Sequence, residues 1–280
     1  MRKFKRAAFF DLDKTILATS TTMAMHGPLR KAALLTRADA VSSTLRHLPY
    51  LVIGEGEERN NRMKEELGRI SNGWSLASLR KVANKASITQ MYPRCFEEAL
   101  DEIAYHQAAG HAVVIASASP APLVEPLARL LGADFVLATQ IEVVDGKLTG
   151  QVKEYNHGTE KAAAARQLAA AQGWDLKDCW AYSDSISDLP LFESVGHPIP
   201  VNPDRPLRQI ATERDWQVHR YSRTVKVLPK QVIPPVVAGT LTTSALAALA
   251  GYLLWSAGKQ AGLRAAQAQQ NPLLKIRTLW

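Results

Sequence analysis

Apolar positions along this chain follow two alternating patterns. Short unbroken runs are separated by stretches in which apolar residues recur every three or four positions. The first run, Ala7-Ala8-Phe9-Phe10, is too short for a useful helix. It reads as a strand buried on both faces, the form that strands of a parallel sheet take. It stops at Asp11 and Asp13, with Thr15 just beyond. The spacing is then helical over Met23 to Leu35, Ala38 to Ile53, Glu57 to Ile70 and Leu76 to Ala86. Nothing between residues 20 and 90 alternates like a strand.

Phe96 to Ala109 predicts a helix ended by Gly110. Ala112 to Ala116 is a second buried strand, followed by Ser117-Ala118-Ser119-Pro120, where Ser119 before Pro120 predicts a helix start. That helix runs to about Leu131, and Asp134 to Ala138 is a third strand. Ile141 to Val152 alternates around Asp145-Gly146, a strong hairpin signal. Thr159 to Gln172 is an alanine-rich helix with Thr159 as its expected N-cap and Gly173 as its end. Asp178 to Tyr182 predicts a fourth strand, ending at Ser183-Asp184-Ser185-Ile186-Ser187-Asp188, and His197 to Val201 a fifth.

Strands alternating with helices predict an α/β fold, a doubly wound parallel sheet carrying a helical insert. The expected division is 1–19 and 91–205 for the core, 20–90 for a helical cap and 206–280 for a tail. A length of 280 residues has room for that arrangement. Cys95 and Cys179 lie far apart without metal-type spacing and read as buried thiols in a reducing compartment. The basic start Arg2, Lys3, Lys5 and Arg6 precedes only four apolar residues, so no secretory signal is expected.

The polar groups that interrupt the strands carry the chemistry. Ligands of an open α/β sheet bind at the carboxyl ends of its strands. Asp11 and Asp13, Ser117, and Asp184 with Asp188 all fall at predicted strand ends, and Lys161 lies in the first turn of a following helix. Two carboxylates one residue apart repel unless a cation lies between them or one is protonated. Oxygen ligands suit Mg²⁺, which works with a few carboxylates, water and substrate phosphate. A metal bridging Asp11, the Asp13 carbonyl and Asp184, with Ser117 and Lys161 on phosphoryl oxygens, makes a phosphate site. Asp11 is then placed to attack phosphorus and Asp13 to handle the proton. Taken singly, each residue has a plainer role as a helix cap, a turn or a solvated charge; the ordered set at strand ends does not.

With these residues the sequence resembles the haloacid-dehalogenase (HAD) superfamily, in the branch (subfamily IB) that includes phosphoserine phosphatases. The resemblance rests on Asp11-Leu12-Asp13-Lys14-Thr15, Ser117-Ala118-Ser119, Lys161 and Ser183-Asp184-Ser185-Ile186-Ser187-Asp188, and covers roughly residues 5–205. It implies a Mg²⁺-dependent phosphomonoester phosphatase working through an aspartyl-phosphate. Asp11 is the implied nucleophile and Asp13 the general acid/base. Ser117, Ala118 and Lys161 would bind phosphate; Asp11, Asp13 and Asp184 the metal; Asp188 would orient the metal's surroundings. A phosphotransferase using an alcohol other than water, or a non-catalytic membrane-tethered adaptor, are the alternatives. The sequence departs from the resemblance at Ser183 and Ser185, where many relatives have glycine. It also departs at Ser20, where phosphoserine phosphatases carry a glutamate that reads the substrate amine. A neutral hydroxyl cannot neutralise an ammonium group, which argues against phosphoserine.

Charge sets the tail apart. From Arg205 onward 11 Lys and Arg face only Glu213 and Asp215, so the first 204 residues sum to −1 of the formal +8. Gln231 to Gly258 has no charged residue, and its centre is long enough to cross a bilayer. A transmembrane helix over 235–257 is expected, with Tyr252 and Trp255 as interface anchors. The competing reading is a helix packed on the core or in a homodimer interface. Basic residues flanking an apolar run suit a membrane surface and argue against nucleic acid. The expected location is the cell membrane, single-pass with the catalytic domain cytoplasmic, and otherwise the cytoplasm. The expected partner is a phosphorylated small molecule or a lipid precursor.

Overall fold

A computed structural model describes residues 4–35 and 57–225 of the chain. The expected helix over 38–53 and the candidate span 235–257 lie outside these residues. Among the described residues no helix is long and apolar enough to cross a membrane.

Six strands form one sheet in the order β4-β3-β2-β1-β5-β6: β1 (Ala7–Phe10), β2 (Ala112–Pro120), β3 (Phe135–Val144), β4 (Lys147–Glu154), β5 (Trp180–Ser183) and β6 (His197–Pro200). All pairings are parallel except β3 with β4. The central strand β1 is fully buried, and its side chains alternate between two cores. Ala7 and Phe9 join the cluster under helix α6 (Thr159–Gln172), where Ala162, Ala165 and Ala169 let the helix sit close to the sheet. Ala8 and Phe10 join the cluster shared with α4 (Glu97–Ala108) and α5 (Ala121–Leu130). Two short helices, α7 (Leu189–Phe192) and α8 (Arg205–Glu213), complete the second half.

Among the described residues, the segment between β1 and β2 carries three helices: α1 (Thr21–Lys31), α2 (Glu57–Ser71) and α3 (Leu76–Ala86). Met25, Leu29, Leu79, Ala83 and Met91 bury their side chains in the cluster that holds Phe10, so the cap shares its core with the sheet. The cap also docks on the β3–β4 hairpin. The Leu148 N–H donates to the Trp74 carbonyl, the Leu148 carbonyl accepts from the Gly73 N–H, and the Leu76 N–H donates to the Gly146 carbonyl. Helix α2 approaches β4 backbone to backbone: a Cβ on Gly68 would lie 2.1 Å from the Gly150 carbonyl oxygen. Asp145 and Gly146 both have positive φ, 49° and 73°, as a two-residue hairpin turn of this type requires.

Three expectations are corrected. Ser119 is not the N-cap of α5; β2 runs on through Pro120, and the Ser119 hydroxyl turns to Asp13 instead. Thr159 is the first helical residue of α6, with Gly158 at the N-cap. The core does not end at residue 205: Leu207 and Ala211 of α8 are buried, and residues 219–225 return along the body. His219 pairs with Val201 and Thr224 with Phe96. Glu98 draws this segment in by accepting from the Ser222 and Arg223 N–H groups. The charge surplus beginning at Arg205 marks a change of composition, and the nine-residue amphipathic helix Arg205–Glu213 still packs on the body.

Candidate active site

The register of the parallel strands brings the predicted groups to one edge. Phe10 lies beside Ile115 on one side and Tyr182 on the other. Asp11, Ser117 and Ser183 therefore leave adjacent strands within two residues of that row. The Asp11 N–H donates to the Tyr182 carbonyl, which fixes the turn out of β1.

Lys161, at the third position of α6, reaches this edge from behind. Its Nζ donates to Asp11 Oδ1 and to Asp188 Oδ2, each at 2.8 Å. All three side chains are nearly inaccessible to water. Asp188 Oδ2 also accepts from the Ser183 hydroxyl at 2.6 Å. Burial works against the Lys161 ammonium, but the Asp11 and Asp188 carboxylates more than offset it and hold its pKa above the usual lysine range. Burial pushes the Asp11 carboxyl up to about 8; Lys161 opposes that, and Asp188 and Asp13 add to it. Asp184 is pushed up to about 6 by burial, with Lys14 pulling back and Asp188 adding.

Asp13 sits half-buried beyond Asp11. Its Oδ1 accepts from the Thr21 N–H at 2.8 Å and from the Thr21 hydroxyl at 2.5 Å, and its Oδ2 from the Ser119 hydroxyl at 3.4 Å. Burial raises its pKa, and the Thr21 and Ser119 hydrogen bonds act in the opposite direction. The Ser117 hydroxyl accepts from the Ser119 N–H, and the Ala118 carbonyl accepts from the Thr139 hydroxyl at 2.6 Å. Asn156 Nδ2 bonds the carbonyls of Ser117 and Leu137, stapling the ends of β2 and β3 together.

Asp11 and Asp188 thus flank one buried ammonium, with Asp13 acting on Asp11 and Asp184 beside Asp188, and Asp188 Oδ1 is buried without a hydrogen-bond partner. Such a surplus of buried acceptors suits a divalent cation. Among the described residues no three His, Cys, Asp or Glu side chains are spaced to hold a metal by themselves. The predicted set has two side chains, Asp11 and Asp184, and the Asp13 backbone carbonyl. That leaves coordination positions for water and phosphate, as Mg²⁺ prefers.

Several contributors lay outside the residues given a catalytic, phosphate or metal role from sequence. Thr21 and Ser119 hold Asp13, Ser183 holds Asp188, and Asp204 accepts from the Ile186 N–H in the loop after β5. Ser183 and Ser185 carried a signal, since both stand where relatives have glycine; the Ser185 hydroxyl accepts from the Ser187 N–H and caps the turn leading to Asp188. Thr21 and Asp204 carry none, because a threonine or aspartate at a helix start is the ordinary capping choice.

The family model for haloacid dehalogenase-like hydrolases matches residues 8–193. A protein of Mycobacterium tuberculosis named as a probable phosphatase is 43% identical over 242 residues, covering 86% of this chain and 84% of its own. A phosphoserine phosphatase of the same organism is 32% identical over 248 residues, covering 87% and 80%. A solved phosphoserine phosphatase carrying an analogue of its phospho-aspartyl intermediate has the same fold, with a TM-score of 0.56 at 20% identity, over 79% of this chain and 95% of its own. The extent of these matches leads to one conclusion: this chain belongs to the haloacid dehalogenase-like hydrolase family.

Proposed function

We propose that the protein is a Mg²⁺-dependent phosphatase of phosphomonoesters that works through an aspartyl-phosphate on Asp11. The observation that carries this is the buried Asp11–Lys161–Asp188 arrangement. Lys161 occupies Asp11 Oδ1, which leaves Oδ2 as the attacking oxygen. The same ammonium lowers the cost of bringing a phosphate dianion to a carboxylate. Mg²⁺, held by Asp11, Asp184 and the Asp13 carbonyl, would neutralise phosphoryl charge as a Lewis acid. Asp13 gives a proton to the departing alcohol and later takes one from the attacking water. The Ser117 hydroxyl and the backbone around Ala118 would supply donors to phosphoryl oxygens.

Relatives named as phosphatases, phosphoserine phosphatase and histidinol-phosphatase support the phosphomonoester class. The organic half of the substrate is a separate matter. Ser20, at the position expected to read an amine, spends its hydroxyl as the N-cap of α1, accepting from the Met23 N–H at 3.2 Å. We therefore propose a phosphorylated small molecule or lipid precursor whose ammonium group, if it has one, is not read at this position. The uncharged run 231–258 is proposed as a membrane anchor, which would favour a lipid-related substrate. The test is a screen of phosphate release from phosphorylated metabolites and lysophospholipids, with Mg²⁺ and with chelator. Mg²⁺-dependent release lost in Asp11→Asn is the expected result; release that survives Asp11→Asn would overturn the mechanism.

A further inference from the structure

Thr21 makes the densest set of contacts to any carboxylate oxygen near the site, and its part in the reaction follows from which oxygen it takes. It is the first residue of α1, eight residues beyond Asp13, and is 1% exposed. The first N–H groups of a helix have no partner within the helix. Here the Thr21 N–H and the Thr21 hydroxyl both converge on Asp13 Oδ1. A β-branched side chain has few rotamers, so the hydroxyl is held in place with little further loss of freedom. Oδ1 is thereby occupied twice, whereas Oδ2 keeps only the 3.4 Å contact from Ser119. Proton transfer requires one defined oxygen within hydrogen-bond reach of the reacting atom.

We propose that Thr21 is a positioning residue for Asp13: it anchors Oδ1 so that Oδ2 carries the proton. Because Thr21 opens the cap, the seating of α1 then sets the geometry of proton transfer as well as covering the site. The assignment rests on the phosphatase chemistry proposed for Asp11 and Asp13. In the first half-reaction Asp11 Oδ2 bonds to phosphorus, the ester P–O bond breaks, and the Asp13 Oδ2 proton passes to the leaving alkoxide to give the alcohol. In the second, water attacks phosphorus and gives one proton back to Asp13. The bond between Asp11 and phosphorus breaks, releasing phosphate and restoring both aspartates.

Leaving-group dependence separates this role from a purely structural one. A good leaving group such as p-nitrophenolate departs without a proton, whereas an alkoxide does not. The probes are p-nitrophenyl phosphate, phenyl phosphate and benzyl phosphate, compared by kcat/KM, which reports phosphoryl transfer to Asp11. Thr21→Val keeps the shape and removes the hydroxyl. The expected result is a loss of about tenfold or more on benzyl phosphate, within the range general acid catalysis supplies. On p-nitrophenyl phosphate the loss should stay within about threefold, with phenyl phosphate between, and Thr21→Ser should recover most of the benzyl phosphate activity. If Thr21→Val does not fold, Thr21→Ala carries the same comparison. Equal losses on all three esters, or no loss, overturn the positioning role while leaving the phosphatase reading intact. If the wild type hydrolyses none of the three, or Asp11→Asn retains the rate, the phosphatase reading falls and the role of Thr21 with it.

Discussion

Replacing Lys161 with methionine tests the charge balance of the site. Methionine keeps an unbranched apolar stem and removes the ammonium, so packing along the helix changes little. In the wild type that ammonium lies 2.8 Å from Asp11 Oδ1 and from Asp188 Oδ2, with side chains 3%, 11% and 2% exposed. Breaking a buried ion pair by removing one partner costs about 3–5 kcal/mol, because the surviving charge is left uncompensated. Two carboxylates survive here, and uptake of a proton by one of them relieves part of the repulsion. The cost near neutral pH, in chelator, is therefore about 3–5 kcal/mol and not twice that. For a domain of this size each kcal/mol moves Tm by about 2–4 °C, so the fall is roughly 6–20 °C. The sign with pH follows from Asp11. Its folded pKa is already pushed up to about 8, above the usual carboxylate value, and loses the opposing effect of Lys161 in the variant. A carboxyl with a raised folded pKa favours the folded state at low pH and costs stability as pH rises through that pKa. The Lys161 contribution, with its pKa above the usual range, is fully present in wild type throughout neutral and acid pH. The gap between wild type and variant should therefore widen as pH rises from about 7 to about 9, where Asp11 ionises in the folded wild type but stays protonated in the folded variant. Urea unfolding followed by tryptophan fluorescence at both pH values measures it. A variant within about 1 kcal/mol of wild type at neutral pH, or a gap that does not change with pH, refutes the reasoning.

Asp11→Asn should keep the wild-type Tm within a few degrees and lose at least about a thousandfold in turnover, measured as phosphate release, because an amide cannot form the covalent intermediate. Removing metal with chelator should abolish activity and added Mg²⁺ should restore it; a full rate after exhaustive chelation would remove the metal from the mechanism. His106 is buried between Tyr182 and His111, and burial, with a smaller contribution from His111, pushes its pKa down to about 4. Its folded pKa lies below the unfolded one, so its neutral form favours folding above about pH 6.5. That contribution, up to about 3 kcal/mol, is lost as pH falls toward 4. His106→Gln should flatten this part of the stability curve, read by urea unfolding at several pH values; an unchanged slope would assign the acid sensitivity elsewhere. Gly150→Ala should destabilise by several kcal/mol, since its Cβ would lie 2.6 Å from the Gly68 carbonyl oxygen at a φ of +81°. A Tm within about 2 °C of wild type would show that the cap can shift away from β4.

Much of the fold was legible because β1, the first half of β2, and β5 are short apolar runs ended by chemistry-bearing residues. Ala7 to Phe10 and Ala112 to Ala116 could be read directly, and parallel register then places Asp11 beside Ser117 and Ser183. The third predicted strand and the first arm of the hairpin proved to be one strand, β3. A strand that changes from a parallel to an antiparallel neighbour midway has no single burial pattern to follow. Contacts made across long sequence separations were not legible. The staple from Asn156 to Ser117 and Leu137 depends on a loop whose path no local pattern sets. Thr21 likewise reaches Asp13 through tertiary placement of α1. The return of residues 219–225 onto α4 depends on the Glu98 carboxylate, which in sequence is one charge among several on an acidic helix.

The two outer strands of the sheet bear on colloidal behaviour. An exposed strand edge is a template for pairing with other chains. Neither edge here is bare. β4 is overlaid by residues 73–76 of the cap through the Leu148–Trp74 and Gly73–Leu148 hydrogen bonds and the Ser75–Lys147 bridge. β6 contains Pro198 and Pro200, which have no N–H to donate, and His219 pairs at its end through Pro200 and Asn202. The cover at the β6 end comes from residues 217–225, so a chain cut after α8 keeps every proposed catalytic side chain but uncovers that rim. Such a fragment should aggregate on concentration where a chain ending at residue 225, short of the uncharged run 231–258, stays monodisperse, and light scattering of the two would tell them apart.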